Sequence, residues 1–232
     1  MAIAERTAID SARRTALVAG TFYLITFLSS IPAVFLLGPV LDDAGYIVSS
    51  GADTRIVWGC LLDLVNATAC IGTAVTLFPV VKRQNEATAL GFVTSRVMEA
   101  AIITIGVVCL LAVVRLRQDL VGATGADAAT LVTTGRALVA VRDWTFLLGP
   151  GVMPGVNALL LGSLLYRSRL VPRIIPTMGL IGAPLLLAAA VATLFGHNEQ
   201  TSGWSAIATL PVAAWELSLG VWLVVKGFKA RP

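Results

Sequence analysis

The chain has 232 residues, of which 57% are hydrophobic and only 13% are charged, and its formal net charge is +4. Soluble domains carry about 25% charged residues, so this composition, with a mean hydropathy of +0.87, excludes an ordinary soluble globular protein. Few aromatic residues accompany the basic ones, which leaves a nucleic-acid partner without support. Several apolar runs reach the length of about 20 residues that a helix needs to cross a bilayer. We therefore expect an all-α, polytopic transmembrane bundle whose partner is the lipid bilayer.

The first half of the chain predicts three transmembrane helices. A polar, basic tail over residues 1–15 precedes the first helix, at about 16–41, and this apolar run is too long for the core of a signal peptide. An acidic loop leads to the second helix, at about 55–81, and a short basic turn leads to the third, at about 89–114.

The longest connection, between the third and fourth helices, contains a helical pattern of its own. Apolar residues recur at helical spacing between residues 128 and 141, with arginines interspersed. The pattern predicts a short amphipathic helix on the extracytoplasmic side, lying over the mouth of the bundle before helix four at about 144–166. Helix four contains Gly149-Pro-Gly-Val-Met-Pro-Gly155, which should kink or interrupt it.

Two further apolar runs complete a predicted six-helix bundle. They lie at about 176–195 and 204–225, and a polar loop separates them. We find no separate soluble domain, so residues 1–232 are expected to form a single six-helix transmembrane domain.

The distribution of basic residues predicts the orientation of the bundle. Six spans place both termini on one side, and of the 17 lysines and arginines eleven fall on that side, five on the other, and Arg96 inside a span. The smaller set is Arg55, Arg115, Arg117, Arg136 and Arg142. Because basic loops stay in the cytoplasm, we expect a plasma-membrane protein with both termini cytoplasmic.

Several polar residues fall deep inside the predicted spans. A helix rises about 1.5 Å per residue, which puts Glu99, Asn157 and Glu216 roughly 15 Å from the cytoplasmic ends of their helices, near the middle of a hydrocarbon core of about 30 Å. Arg96 lies one turn nearer the cytoplasm and shares a helix face with Glu99. The candidate residues for binding a ligand, ion or proton are Arg96, Glu99, Glu216, Asn157, Asp63, Asn66 and Asp143.

These residues admit a structural and a functional interpretation. In the first, Arg96 neutralises a carboxylate and the pairing holds helices in place. In the second, they form a site, since ionisable residues inside membranes are often functional. One arginine cannot fully neutralise both Glu99 and Glu216, which favours function, whereas Asp63 and Asn66 are better explained as bonds between neighbouring helices.

The sequence gives no indication of a metal or a cofactor. A single histidine, His197, rules out a site built from two or three imidazoles of one chain. Cys60, Cys70 and Cys109 all lie in apolar runs without a Cys-x-x-Cys spacing, so we expect small buried side chains and no disulfide.

Several short motifs follow one another along the chain in a characteristic order and spacing. They are Arg96-Val-Met-Glu99, Asp143-Trp-Thr-Phe-Leu-Leu-Gly149, Gly162-Ser-Leu-Leu-Tyr-Arg-Ser168, Leu170-Val-Pro-Arg173, Gly179-Leu-Ile-Gly182, Trp215-Glu-Leu-Ser-Leu-Gly220 and Lys226-Gly-Phe228. Together they resemble one bacterial family of integral membrane proteins, domain of unknown function 4386. The resemblance covers about Ala12 to Phe228 and implies a six-helix membrane protein without an established activity. The chain departs from the family in carrying Arg142 where histidine is frequent before the helix-four aspartate.

Three functions remain open at this point. The first is a small transporter or ligand-binding membrane protein for a small polar ligand, an ion or protons, using Arg96, Glu99 and Glu216. The second is a structural or regulatory membrane subunit whose polar core only holds the bundle together. The third is an intramembrane enzyme, of which only a carboxylate-dependent, lipid-modifying type fits, because a metal hydrolase lacks its histidines and a serine hydrolase lacks a Gly-x-Ser-x-Gly elbow.

Overall fold

The computed structural model describes residues 2–43, 45–49, 52–120, 122 and 124–229, and for residues 2–10 it describes the backbone alone. Of the basic residues assigned to the side of the termini, Arg231 and the side chain of Arg6 therefore lie outside the described part. Within these ranges the chain forms seven α-helices: α1 (Ala2–Asp42), α2 (Thr54–Val81), α3 (Glu86–Asp119), α4 (Gly125–Phe146), α5 (Met153–Ser168), α6 (Ile174–Leu194) and α7 (Gly203–Val225).

The all-α, six-helix membrane architecture is confirmed. The structure is 86% helical, and the described residues contain six helical stretches long and apolar enough to cross a membrane. Local sequence signals set several helix ends: the Asn85 side chain accepts a hydrogen bond of 2.8 Å from the backbone N–H of Thr88, and Ser202 caps α7 through Ser205 in the same way. Such caps satisfy backbone N–H groups that have no partner within the helix.

The fourth span differs from its prediction in one respect. The expected amphipathic helix forms as part of α4, but it is not separate from the span, because the helix runs from Gly125 to Ser168 over 44 residues. The Gly149–Gly155 motif does not interrupt it. Instead, residues Leu147–Val152 adopt a π-helical turn, whose wider spacing accommodates Pro150, which has no N–H to donate.

Two more helices extend beyond their predicted ends. Helix α1 starts at Ala2 and so includes most of the predicted tail, and α3 runs on to Asp119. A short 3₁₀ turn, Tyr46–Val48, forms in the acidic loop after α1.

The six spans form a closed ring. Each span packs against the next in sequence, and α1 also packs against α7. The ring closes near the termini, where Arg13 donates hydrogen bonds of 2.9 and 2.6 Å to the backbone carbonyls of Leu223 and Val224. We call this the terminal end of the bundle and the opposite one the distal end.

The two ends are filled differently. At the terminal end a large apolar core, which includes Leu77, Phe92, Leu165 and Leu223, packs the interior of the ring. At the distal end a second apolar core joins α1, α2, α3 and α4 with the short turn Tyr46–Val48. The distal space between α1, α6 and α7 is left for a cavity.

Candidate binding site

Three charged side chains meet at the centre of the ring. Arg96 on α3 donates a hydrogen bond of 3.0 Å from Nη1 to Glu99 Oε2, one turn along the same helix. Its Nη2 donates to Glu216 Oε1 on α7. The structure thus brings together the arginine and both carboxylates that matched in depth in the sequence, and we call Arg96, Glu99 and Glu216 the central cluster.

Neighbouring side chains orient the central cluster. Asn157 on α5 donates a hydrogen bond of 2.8 Å from Nδ2 to Glu99 Oε2. The guanidinium carbon of Arg96 lies 5.2 Å from the ring centroid of Tyr23 on α1, a distance typical of a cation–π contact. Arg96 Nη1 also lies 3.7 Å from Cys70 Sγ on α2. The contacts of this one arginine and its partners therefore link five spans.

The side chains of the central cluster are almost fully buried, yet several of their polar atoms have no hydrogen-bond partner. Arg96 is 1% exposed, Asn157 0%, Glu99 4% and Glu216 9%. Among the described residues, Glu99 Oε1 and Glu216 Oε2 have no hydrogen-bond partner. The buried atoms Arg96 Nε, Asn157 Oδ1 and Tyr23 OH have none either. Buried polar groups in folded proteins are normally satisfied, so the centre offers several polar atoms to a further hydrogen-bonding group.

A second buried ion pair lies on the distal side of the cluster. Asp63 on α2 accepts a hydrogen bond of 3.0 Å from Arg142 Nη2 on α4, and both side chains are more than nine-tenths buried. Asn66, one turn further along α2, has only a weak contact of 3.9 Å from Cys70 Sγ to its Oδ1. The bond of Asp63 to a neighbouring helix agrees with the structural interpretation of that residue.

Asp143 does not join the other candidate residues. It is exposed and lines a separate cavity of about 300 Å³ at the distal end. Its predecessor Arg142, which the sequence analysis counted among the residues of the distal side, points into the bundle instead. Adjacent residues on a helix point about 100° apart, and depth along the helix does not show which of the two faces inward.

A further polar cluster, not predicted from the sequence, lies between the loop after α1 and the end of α3. Arg117 pairs with Asp53 and donates a hydrogen bond of 3.1 Å to the Ser49 carbonyl. Burial alone would raise the pKa of Asp53, but hydrogen bonds from Gln118, Tyr46 and Arg117 outweigh it and hold that pKa below its usual range. Burial and the bond to Asp53 raise the pKa of Tyr46 to about 12. This cluster fastens the loop to α3.

Two adjoining cavities lie between the central cluster and the distal end. The smaller, of about 150 Å³, is lined by all three residues of the central cluster. The larger, of about 440 Å³, extends distally and includes Asp63 and the loop before α7. Their common walls come from five residues, Ser30, Asn66, Pro150, Leu186 and Thr209. The π-helical turn therefore contributes to the wall through Pro150.

This arrangement can hold a positive charge. Two carboxylates share one guanidinium, and each retains an oxygen, beside a cavity, that no described residue bonds. A proton on a carboxylate or a cation in the cavity would complete the charge balance. Among the described residues, no group of three or more His, Cys, Asp or Glu side chains is arranged to hold a metal ion.

Comparison with known proteins gives a match to a family without an assigned activity. The family model described as Domain of unknown function (DUF4386) matches residues 18–227, a range that contains every residue of the central cluster and of the cavity walls. No curated protein and no solved structure matches the chain. The chain, a six-helix integral membrane protein, therefore belongs to the DUF4386 family.

Proposed function

We propose that the central cluster binds a proton or a small ligand that reaches it through the distal cavities, and that the protein is a small transporter or ligand-binding membrane protein. The observation that carries this proposal is the sharing of one guanidinium, Arg96, by two buried carboxylates that both line a cavity.

The charge count supports binding over a purely structural role. A buried ion left uncompensated costs several kcal/mol. Arg96 offsets one of Glu99 and Glu216, so the fully ionised cluster keeps one negative charge. A structural cross-link would need only one carboxylate, as the pair of Asp63 and Arg142 does. A second carboxylate beside Arg96 is explained if it exchanges a proton or binds a cation.

The position of the cavities supports access from the distal end only. The apolar core at the terminal end fills the ring below the cluster with Leu77, Phe92 and Leu165. In a transporter this core would be the barrier that opens in a second conformation, as alternating access requires. In a ligand-binding protein it would be a permanent floor.

The proposal is tested by infrared difference spectroscopy of the purified protein in a neutral detergent during a pH titration. We expect a protonated buried carboxyl near neutral pH whose band disappears reversibly as the pH rises. Glu99→Gln and Glu216→Gln should each abolish it, because Arg96 then faces a single carboxylate. Asp119→Asn, which alters an exposed ion pair with Arg115, is the matched control and should retain the band.

A structural or regulatory subunit is the second candidate, since three buried arginine–carboxylate contacts join different elements of the bundle. This candidate function predicts that the infrared band of the protonated carboxyl in the wild-type protein does not change with pH while the protein is folded, or that no such band is present. Either result would contradict the binding proposal.

A further inference from the structure

We infer that the ligand of these cavities is an amphiphilic organic cation that enters sideways from the lipid. This inference rests on the proposed function of the central cluster and names the class of ligand. It draws on the charge of the cavity walls, on their apolar character and on the place where they open.

The walls favour a positive charge. Three carboxylates line the two cavities, from Asp63, Glu99 and Glu216, against one guanidinium, that of Arg96. Arg142 pairs with Asp63 from behind, outside both linings. One negative charge is left over, and the described walls contain no lysine to offset it. Glu216 is the residue best placed to take the cationic group. Asn157 bonds Glu99, whereas in the described part of the chain Glu216 accepts a hydrogen bond from Arg96 alone and its Oε2 has no partner.

The larger cavity suits an apolar body. Its volume of about 440 Å³ lies in the range of about 300–1,000 Å³ common for small-molecule pockets. Much of its wall is apolar, including Leu147, Leu186 and Ala190, while Ser205 and Thr209 supply hydroxyl groups. A ligand with one positive charge for the carboxylates and an apolar body for the larger cavity fits these walls. An inorganic ion fits them less well, because it would leave the larger cavity empty.

The opening faces the membrane. Ile31 and Val34 on α1 and Leu210 on α7 line the cavity and are also 54%, 49% and 64% exposed. These two helices touch backbone to backbone near the terminal end, where a Cβ on Gly20 would lie 2.7 Å from the Gly220 carbonyl oxygen. Residues that line a cavity and also face outward mark a lateral window between the distal halves of α1 and α7. A ligand dissolved in the lipid can enter there without crossing the polar loops.

Tetraphenylphosphonium and tetraphenylborate test this inference, because they share size and shape and differ in the sign of their charge. Equilibrium dialysis with the full-length protein in neutral detergent, corrected with empty micelles, should show saturable binding of the phosphonium and none of the borate. Binding should weaken as the pH falls, because protons compete for the same surplus charge. Glu216→Gln should weaken it by about tenfold or more, the loss expected when a buried charge partner is removed.

Two variants keep the test independent of folding. Ala206→Phe fills the cavity at an exposed position of α7 and should block binding while leaving the cluster intact. Asp119→Asn should bind as the wild type does. Equal binding of both probes, or phosphonium binding unaffected by Glu216→Gln and Ala206→Phe, would overturn the inference. If the infrared band titrates but the phosphonium does not bind, the ligand class is wrong while the proposed function stands. If the infrared band is absent, the proposed function itself is contradicted, and with it the inference about the ligand that rests on it.

Discussion

At the residue scale, three buried arginines form ion pairs in the interior of the bundle. Arg96, Arg117 and Arg142 are each buried, and each pairs with a carboxylate of another element. A guanidinium suits such positions because it is flat, presents several donors and stacks on aromatic rings. Their guanidinium carbons lie 5.2, 4.6 and 5.0 Å from the rings of Tyr23, Tyr46 and Phe146, respectively.

Removing Arg96 should be the most damaging single change in the cluster. Arg96→Ala leaves both Glu99 and Glu216 without their cation, and breaking a buried pair typically costs about 3 to 5 kcal/mol. The double change Arg96→Met with Glu99→Leu should cost less, because it removes the charge of Glu99 together with that of Arg96 and leaves one uncompensated carboxylate, that of Glu216, in place of two. Thermal unfolding of both variants in detergent measures the difference. A double variant less stable than Arg96→Ala would show that pairing is not what holds this centre together.

The central cluster could be predicted from sequence because depth along a helix follows from residue number alone. Arg96 and Glu99 share a face by their spacing of three, and Glu216 matches them in distance from the end of its span. Rotation about the helix axis is set by packing, so the sequence did not distinguish the inward Arg142 from the exposed Asp143. Tyr23 gave no signal, since a lone tyrosine in an apolar run is common.

At the element scale, the contact between α1 and α7 depends on glycine. A Cβ at Gly20 would lie 2.7 Å from the Gly220 carbonyl oxygen and 2.9 Å from Leu223 Cβ, closer than packed atoms can be. Backbones that approach this closely through small residues are typical of membrane helix pairs. The pair closes the ring and so sets the terminal boundary of the lateral window.

We expect Gly20→Ala to lower the free energy of unfolding by about 1–3 kcal/mol, the usual cost of overpacking a tight contact. Gly38→Ala on the same helix is the matched control, because its Cβ would meet only Asp42 Oδ2, at 3.4 Å. Thermal unfolding in detergent of the two variants and the wild type gives the comparison. If Gly20→Ala were as stable as Gly38→Ala, the close α1–α7 contact would not limit the stability of the ring.

The fourth span shows what sequence patterns leave undetermined at this scale. Two prolines and three glycines between Gly149 and Gly155 indicate a break, but not whether the helix stops or rewinds. Here the π-helical turn keeps the chain helical and continuous with α4. The choice depends on neighbours that a local pattern does not contain, such as Ile102 of α3, whose Cγ2 lies 3.1 Å from the Cβ position of Gly149.

At the scale of the whole molecule, the asymmetry between a packed terminal end and a hollow distal end suggests which side the ligand comes from. The number of spans and the excess of basic residues at one end were readable from the sequence, because both depend on composition along the chain. The closure of the ring by α1 and α7 was not, because it joins residues about 200 positions apart and no local signal specifies such contacts. That closure is what leaves the cavity open between their distal halves.

The orientation of the bundle in the membrane remains a prediction, which labelling of single cysteines can test. The three native cysteines are buried, so background labelling should be low. Arg83→Cys and Glu199→Cys place exposed thiols at the terminal and distal ends. In intact cells a membrane-impermeant maleimide should label the Glu199→Cys variant and should label Arg83→Cys only after lysis, because the basic end stays in the cytoplasm. Labelling of both variants in intact cells would contradict the six-span topology. The reverse pattern would turn the cavity toward the cytoplasm, and any ligand would then be collected from inside the cell.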